Sequence, residues 1–408
     1  MRIIYLHQYF NTPDMSGSTR SYELGRRLVA AGHVVDMVTS WRAPTERRGW
    51  FDTDVAGMRV HWLPVAYSNH MSFVQRVTAF VQFALSAARR AAQLEGDVVF
   101  ASSTPLTIAL PAVHAARRRR IPMVFEVRDL WPELPIAVGA LRNPLLQWMA
   151  RRLEKYAYVN AAQIVALSPG MAAGVADAGY PQSRITVVPN AADLELFARD
   201  CARGREFRAR LGIGADQIVI GYAGTLGRIN GVSYLVELAA ALRDDARLVF
   251  LIVGDGQERE PITALARERG VLGRNLLMLD RVAKSEMPQV LWALDVATSL
   301  FLPIRAMESN SANKFFDALA AGCCVAINYG GWQAQILQGA EAGLYLSADP
   351  REAAAQVRSL ADDPERLRAR GRHARRLAEE QFSRDALAAR LEQVLSHVHR
   401  EESTRRGG

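Results

Sequence analysis

The sequence predicts an α/β protein made of two doubly wound parallel-sheet domains, and three observations carry that prediction. Short apolar runs recur with helical segments between them: RIIYLH, VVDMVT, DVVFAS, PMVFEV and QIVALS in the first half. The series then repeats as QIVIGYA, RLVFLIVG, NLLMLD, DVATSL and CCVAIN. Runs that are continuous rather than alternating belong to strands covered on both faces, hence to parallel sheets flanked by helices. A chain of 408 residues also exceeds the size at which one core usually stops growing. Both halves therefore read as Rossmann-like domains facing a cleft.

Between the two series lies VVPNAADLELFARD, residues 187–200, polar and proline-marked, which reads as a hinge. This sets a first domain at 1–190, a second at 191–382, and a C-terminal helix and tail at 383–408 expected to pack back toward the first. The stretch from Arg366 to Arg400 is a charge-rich helical pattern with an apolar face through Leu377, Leu387, Leu391 and Leu395, and reads as a solvated surface helix. In open sheets of this kind ligands bind beyond the carboxyl ends of the strands, so the loops there are where function is sought.

Composition narrows the setting. The cysteines are Cys201, Cys323 and Cys324, and neighbouring cysteines do not normally bridge each other, so a reducing cytoplasm is expected. No segment offers about 20 uninterrupted apolar residues, and MRIIYLHQYF has no cleavage site behind it; neither a signal peptide nor a spanning helix is read. A formal charge of +8 suggests an anionic partner: a phosphorylated ligand, an acidic membrane or nucleic acid. Nucleic acid is set aside, because the arginines cluster in blocks such as RRRR at 117–120 without interleaved aromatics.

The second half carries the phosphate signals. GYAGTLGRINGVSYLVELAAAL follows a strand with a glycine-rich turn and opens a helix near Val232. Gly224, Gly227 and Gly231 let the backbone approach a phosphate, and the helix amides supply donors. A tight strand-to-helix junction uses the same glycines, so the turn alone leaves both readings open. The order of the following blocks sharpens it: VGDGQERE, NLLMLDRVAKSEMPQVLWALDVATSLFLP, then ESNSANKFFDALAAGCCVAIN.

In that order the chain resembles the C-terminal domain of glycosyltransferase family 4, retaining enzymes of the GT-B fold that use nucleotide sugars. The resemblance continues upstream through NAADLELF, ALSPGM and EVRDLWPELP to HQYFNTPDMSGSTRSYEL. Those last two blocks are similar to the WbuB-type subgroup, bacterial transferases of O-antigen, capsule and exopolysaccharide assembly. The resemblance implies that Asp317 of DALAAG takes the place of the second of two family glutamates and holds the ribose hydroxyls. A carboxylate accepts from two vicinal hydroxyls at once, and an early helical position is expected to stabilise its charge.

The chain departs from the family at three positions. The first glutamate falls on Ser309, with Glu308 one residue early; the loop Ser309, Asn310, Ser311 and then Lys314 is read as gripping the diphosphate or sugar instead. The glycine turn has Thr225 and Asn230 where the family has an arginine and a lysine, which leaves Arg228 as the turn's cation and the expected stabiliser of the leaving diphosphate. Asp255 and Arg281, at the ends of the next two strands, complete the donor side with Gly224, Thr225 and Gly227. No metal and no other cofactor are expected.

On the first half, Gly17, Ser18 and Thr19 match the family's flexible loop near the donor phosphates, with Arg20 and His7 as acceptor-side candidates. Glu126, Arg128 and Asp129 end an apolar strand, where Arg128 and Asp129 replace a histidine–aspartate pair and are assigned to catalysis; an internal Arg–Asp salt bridge is the alternative. Asp52 and Asp54 spell an Asp-x-Asp, but in a polar connection rather than at a strand end, so metal binding is not assigned there. Residues 71–93 form a helix with apolar positions 73, 74, 77, 80, 81, 84, 85 and 88. Arg76, Phe83 and Arg90 lie on another face, which suggests peripheral contact with an anionic membrane.

Together these imply a retaining transferase that moves a sugar, expected from a UDP-linked donor, to a polyprenyl-diphosphate-linked saccharide at the inner face of the cytoplasmic membrane. Closure about residues 187–200 would assemble the site. A UDP-sugar 2-epimerase of the same architecture and a non-catalytic nucleotide-sugar-binding module are the rivals.

Overall fold

The computed structural model describes the chain except residues 16, 68–70, 140, 192 and 408 and the side chains of residues 73 and 405–407. It contains two compact units, residues 1–189 with 385–408, and residues 190–384.

In the first unit the apolar runs are strands, with three others added: β1 (Arg2–Leu6), β2 (Val34–Trp41), β3 (Phe51–Val55), β4 (Met58–Pro64), β5 (Val98–Ser102), β6 (Met123–Val127), β7 (Gln163–Ala166) and β8 (Ile185–Val187). Their order is β3-β4-β2-β1-β5-β6-β7-β8, parallel throughout except for the β3–β4 hairpin. Ile4, Leu6, Val99, Ala101 and Phe125 lie fully inside, as strands covered on both faces require.

The helices are α1 (Arg20–Ala30), α2 (Phe73–Gln93), α3 (Ala109–Arg119), α4 (Glu133–Ala137), α5 (Pro144–Val159) and α6 (Pro169–Asp177). Right-handed crossovers fix their faces. From β1 to β2 the chain steps one way along the sheet; from β4 to β5 and on to β8 it steps the other way. α1 therefore covers one face, and α2, α3, α5 and α6 cover the opposite one. The order reverses between β1 and β5, which opens a crevice beyond their carboxyl ends.

Three expectations change here. The stretch around Asp52 and Asp54 is not a connection but the antiparallel edge strand β3, turned into β4 through Ala56 and Gly57, both with positive φ. Its polar composition suits an edge that faces water. Phe83, expected on an exposed face, is fully buried, whereas Val74, Val77, Val81 and Leu85 are exposed. The face of α2 that meets the core is instead Ala79, Phe83, Ala84, Ala87 and Ala91, since small side chains let α2 lie close on α3. The charge-rich stretch after Arg366 is not one solvated helix but two, Pro364–Gln381 and Arg384–Gly407, and Leu377, Leu387, Leu391 and Leu395 are all buried. The second of them joins the first unit through Arg27 to Asp385 at 2.5 Å and His33 to Glu392 at 3.0 Å.

The second unit is a six-stranded parallel sheet of β9 (Ile218–Ala223), β10 (Leu248–Val253), β11 (Leu276–Leu279), β12 (Val296–Ser299), β13 (Cys324–Ile327) and β14 (Gly343–Tyr345), ordered β11-β10-β9-β12-β13-β14. Its order reverses between β9 and β12. The glycine turn that follows β9 and the loop that follows β12 thus diverge around one crevice. No helix among the described residues is long and apolar enough to cross a membrane.

Candidate active site

The glycine turn of the second unit is held by a second glycine turn. Leu226 N donates to Asp255 O at 2.9 Å, Glu258 N to Leu226 O at 2.9 Å, and Gly224 N to Val253 O at 3.0 Å. Gly254 is required by this packing: a Cβ there would sit 1.9 Å from the Gly224 carbonyl oxygen. The amides of Thr225, Gly227 and Arg228 are left without an intramolecular acceptor among the described residues, which is the arrangement that receives an anion. Arg228 itself is exposed, at the start of a single 3-10 turn, Arg228–Asn230, before the helix Ser233–Ala241.

The loop after β12 leads through a 3-10 turn, Arg305–Ser309, into the helix Asn313–Ala320. Its second residue, Lys314, reaches back across the crevice to the glycine turn. Lys314 Nζ donates to Asn230 Oδ1 at 2.6 Å and to Tyr222 Oη at 3.0 Å. Tyr222 Oη and Asn230 Nδ2 both donate in turn to the Thr225 carbonyl, at 2.7 and 3.0 Å. The ammonium also stands 4.7 and 4.9 Å from the ring centres of Tyr222 and Phe301. Burial lowers its pKa to about 7, because no carboxylate offsets the lost hydration.

Asp317, one turn further along the same helix, faces a different neighbourhood. Burial raises its pKa to about 6; Lys284 and Arg384 pull it down, and Asp193 pushes it up. The helix position expected to stabilise its charge is outweighed by desolvation, since the residue lies in the second turn rather than at the N-terminus. No hydrogen-bond partner holds its carboxylate among the described residues. A half-buried acid left this way costs stability and points to use by something not in the fold.

The other donor-side candidates separate into two groups. Asn310 and Ser311 are tied into the fold: Trp332 Nε1 donates to Asn310 O at 2.8 Å, Ala312 N to Asn310 Oδ1 at 3.1 Å, and Asn190 N to the buried Ser311 Oγ at 3.1 Å. They shape the loop rather than point from it. Ser309 is half-buried at the end of its turn, and Asp255 and Arg281 are exposed at the ends of β10 and β11. Sequence reasoning missed Arg259, which ties those two strand ends together through Gly254 O at 2.7 Å and Asp280 at 2.6 Å, and Tyr222, which reads only as a strand residue until Lys314 is seen beside it.

At the crevice of the first unit, Arg20 is committed inward. Its guanidinium pairs with Glu126 at 2.8 Å and donates to the carbonyls of Pro189 and Val188 at 2.7 and 2.8 Å, with both partners of the pair buried. Burial works against the Glu126 charge, but Arg20 and Arg128 more than offset it, and its pKa falls. Arg20 and Glu126 are thus structural, not groups offered to an acceptor. His7 is likewise buried, and burial with nearby Arg128 holds its pKa well below the usual value. Arg128 Nη1 donates to His7 Nε2 at 3.0 Å, so Nε2 is the acceptor and Nδ1 carries the proton given to Ser21 Oγ at 2.8 Å.

Arg128 also donates to Ser18 Oγ at 3.1 Å, which anchors the loop after β1 to the end of β6. Gly17 is exposed with φ of +125°, and Thr19 is the buried residue before α1. Asp129 does not form the alternative salt bridge with Arg128. It accepts from Thr104 Oγ1 at 3.2 Å, and burial raises its pKa. The Asp-x-Asp is engaged elsewhere: Asp52 accepts from Arg90 at 2.8 Å and pairs with His61 at 2.8 Å, and Asp54 accepts from Gly57 N at 3.2 Å.

Residues 17–191 match the glycosyl transferase 4-like domain, and residues 217–363 match the glycosyl transferases group 1 domain. The 2-deoxystreptamine glucosyltransferase of Streptomyces kanamyceticus is 27% identical over 335 residues, 79% of each chain. The putative colanic acid biosynthesis glycosyl transferase WcaI of Escherichia coli K12 is 22% identical over 300 residues, 69% of this chain and 72% of that one. Among solved structures, Anabaena HepE in complex with UDP-glucose superposes with a TM-score of 0.69 at 16% identity, over 97% of this chain and 100% of that one.

Proposed function

We propose that this chain, a glycosyltransferase of the GT-B type, moves a hexose or N-acetylaminosugar with retention from a UDP-linked donor to a lipid-linked saccharide in surface polysaccharide assembly. One observation carries the donor reading: Lys314 spans the crevice at the reversal between β9 and β12 and lays an ammonium beside a turn with three unpaired amides. That is a site for a diphosphate. Asp317 then receives the ribose hydroxyls, and Arg228 meets the charge that grows as the glycosidic bond breaks. The UDP-glucose complex of HepE supports the donor class, and WcaI supports the setting.

Retention follows from attack on the face the leaving group departs from. An acceptor hydroxyl oxygen forms the new bond to the anomeric carbon, the bond to the diphosphate oxygen breaks, and that oxygen takes the hydroxyl proton. No protein nucleophile is needed, and placement with electrostatics carries the rate. Lys314, Arg228 and the amides balance the diphosphate in place of a metal, so turnover should persist in excess EDTA; complete loss restored by magnesium would overturn that part.

The test is a thermal-shift screen of nucleotide sugars followed by calorimetric titration of UDP, since a ligand selective for the folded state raises the midpoint by mass action. UDP sugars should give the largest shift. Donor incubated alone should be hydrolysed slowly or not at all; conversion to its 2-epimer would replace the transferase reading with the epimerase.

A further inference from the structure

The first unit carries an apolar surface that its own core does not use. Helix α2 turns Val74, Val77, Val81 and Leu85 to solvent at spacings of three and four, with Val74 70% and Leu85 66% exposed. On α5, Leu145, Trp148 and Met149 are 63%, 58% and 53% exposed. α3 packs against both helices and exposes Leu110 at its start. The crossovers put α2, α3 and α5 on one face of the sheet, with their first turns at the edge that carries Ser18 and Arg128.

The charge on these helices has one sign. α2 contains Arg76, Arg89 and Arg90 and no acid; α5 contains Arg151, Arg152 and Lys155, and its one acid, Glu154, is buried. Arg90 is engaged by Asp52, and Arg151 by Glu133 at 2.7 Å. Arg89, Arg152 and Lys155 are exposed. The Arg152 guanidinium stands 5.6 Å from the centre of the Trp148 ring, so an amphipathic aromatic is held beside a cation on the exposed side of α5.

We propose that this face docks on an anionic lipid surface. Trp148, Met149 and Leu145 with the exposed stripe of α2 enter the boundary between headgroups and acyl chains, while Arg152, Lys155 and Arg89 meet lipid phosphates. Water rewards none of these apolar side chains, and large apolar residues left exposed on helices that pack together, with cations on the same helices, mark an interaction surface. A second copy of the chain fits poorly, because a twofold contact would bring the same cations together. The inference stands apart from the donor reading, since it is measured without a sugar substrate.

The full chain should sediment with phosphatidylcholine vesicles that contain phosphatidylglycerol, and much less with phosphatidylcholine alone. Leu145→Ser with Trp148→Ser and Met149→Ser should weaken that binding about tenfold or more. Arg152→Gln and Lys155→Gln should each weaken it about fivefold. Brominated lipid should quench part of the tryptophan emission, and Trp148→Phe should abolish that part. All these side chains are exposed, so the circular dichroism and thermal midpoint of each variant should match the parent. Absence of vesicle binding, undiminished binding by the triple variant, or quenching unchanged in Trp148→Phe would each overturn the proposal. A dimer that the triple change dissolves, without vesicle binding, would assign the face to a second copy.

Discussion

Lys314 Nζ lies 2.6 Å from Asn230 Oδ1, although 84 residues separate the two. Position 230 is where the resemblance to family 4 implies a lysine at the end of the glycine turn. The cation absent from the turn is therefore supplied from the helix after β12, and Arg228 is not the only positive side chain at that turn.

This exchange can be tested by moving the charge. Lys314→Gln should weaken UDP binding by about 1.5–3 kcal/mol, the range for a hydrogen bond to a charged group. Asn230→Lys alone should also weaken it and lower the thermal midpoint, because two ammonium groups would share one site. The double variant should bind UDP better than Lys314→Gln does. Calorimetric titration decides; a double variant no better than the single one would mean that Lys314 acts elsewhere.

The same two groups set a pH window for binding. In the ligand-free protein Lys314 is protonated below about 7 and Asp317 is ionised above about 6. Both are charged only in between, so UDP affinity should peak there, falling on the acid side as Asp317 takes a proton and on the alkaline side as Lys314 loses one. Diphosphate raises the Lys314 pKa, so binding above pH 7 should take up a proton. Titration in buffers of different ionisation enthalpy measures this uptake, and Lys314→Gln should abolish it; uptake that survives would move the proton to another group.

Asp317 should trade stability for function. Its folded pKa of about 6 exceeds the ordinary 3.8, so the folded state binds more protons between these values and the ionised carboxylate lowers stability above them. Asp317→Asn should therefore stabilise the protein near neutral pH by up to about 3 kcal/mol, with no gain below the ordinary value. UDP binding should weaken in the same variant. Urea unfolding at the two pH values, with UDP titration, tests both halves. A less stable Asn variant at neutral pH would show that the carboxylate is satisfied within the fold.

Arg228→Ala should lower turnover more than donor affinity. An exposed guanidinium at the mouth of the turn gains most from charge that appears only as the bond breaks. Loss of a comparable donor commonly costs about a hundredfold to a thousandfold in rate. Steady-state kinetics with a matched donor and acceptor separates kcat from KM. A pure KM effect would return Arg228 to ground-state binding.

How much of this was legible in the sequence differs from one residue to the next. The ten apolar runs read as strands because burial on both faces leaves an uninterrupted hydrophobic signature, whereas the two reversals of strand order appear only in the pairing of the strands. Asp317 could be singled out because an acid within an otherwise apolar helix is visible locally. The exposed face of α2 could not: counting large apolar residues selected the valines, whereas contact with α3 selected alanines and Phe83. Arg20 and Glu126 read as crevice charges because nothing local shows that strand β6 brings them within 2.8 Å of each other.

By itself the sequence determined two parallel α/β units, a glycine turn after β9 and an acid on the helix that follows β12, since each is written in short-range pattern and composition. The tertiary structure alone decided which charges face inward. Lys314 is the clearest case: its pKa, its tyrosine and asparagine partners and its place at the glycine turn depend on two loops that meet only because the strand order reverses between β9 and β12. Desolvation and Coulomb interaction act through space, and the distances they act over are set by packing, not by separation along the chain.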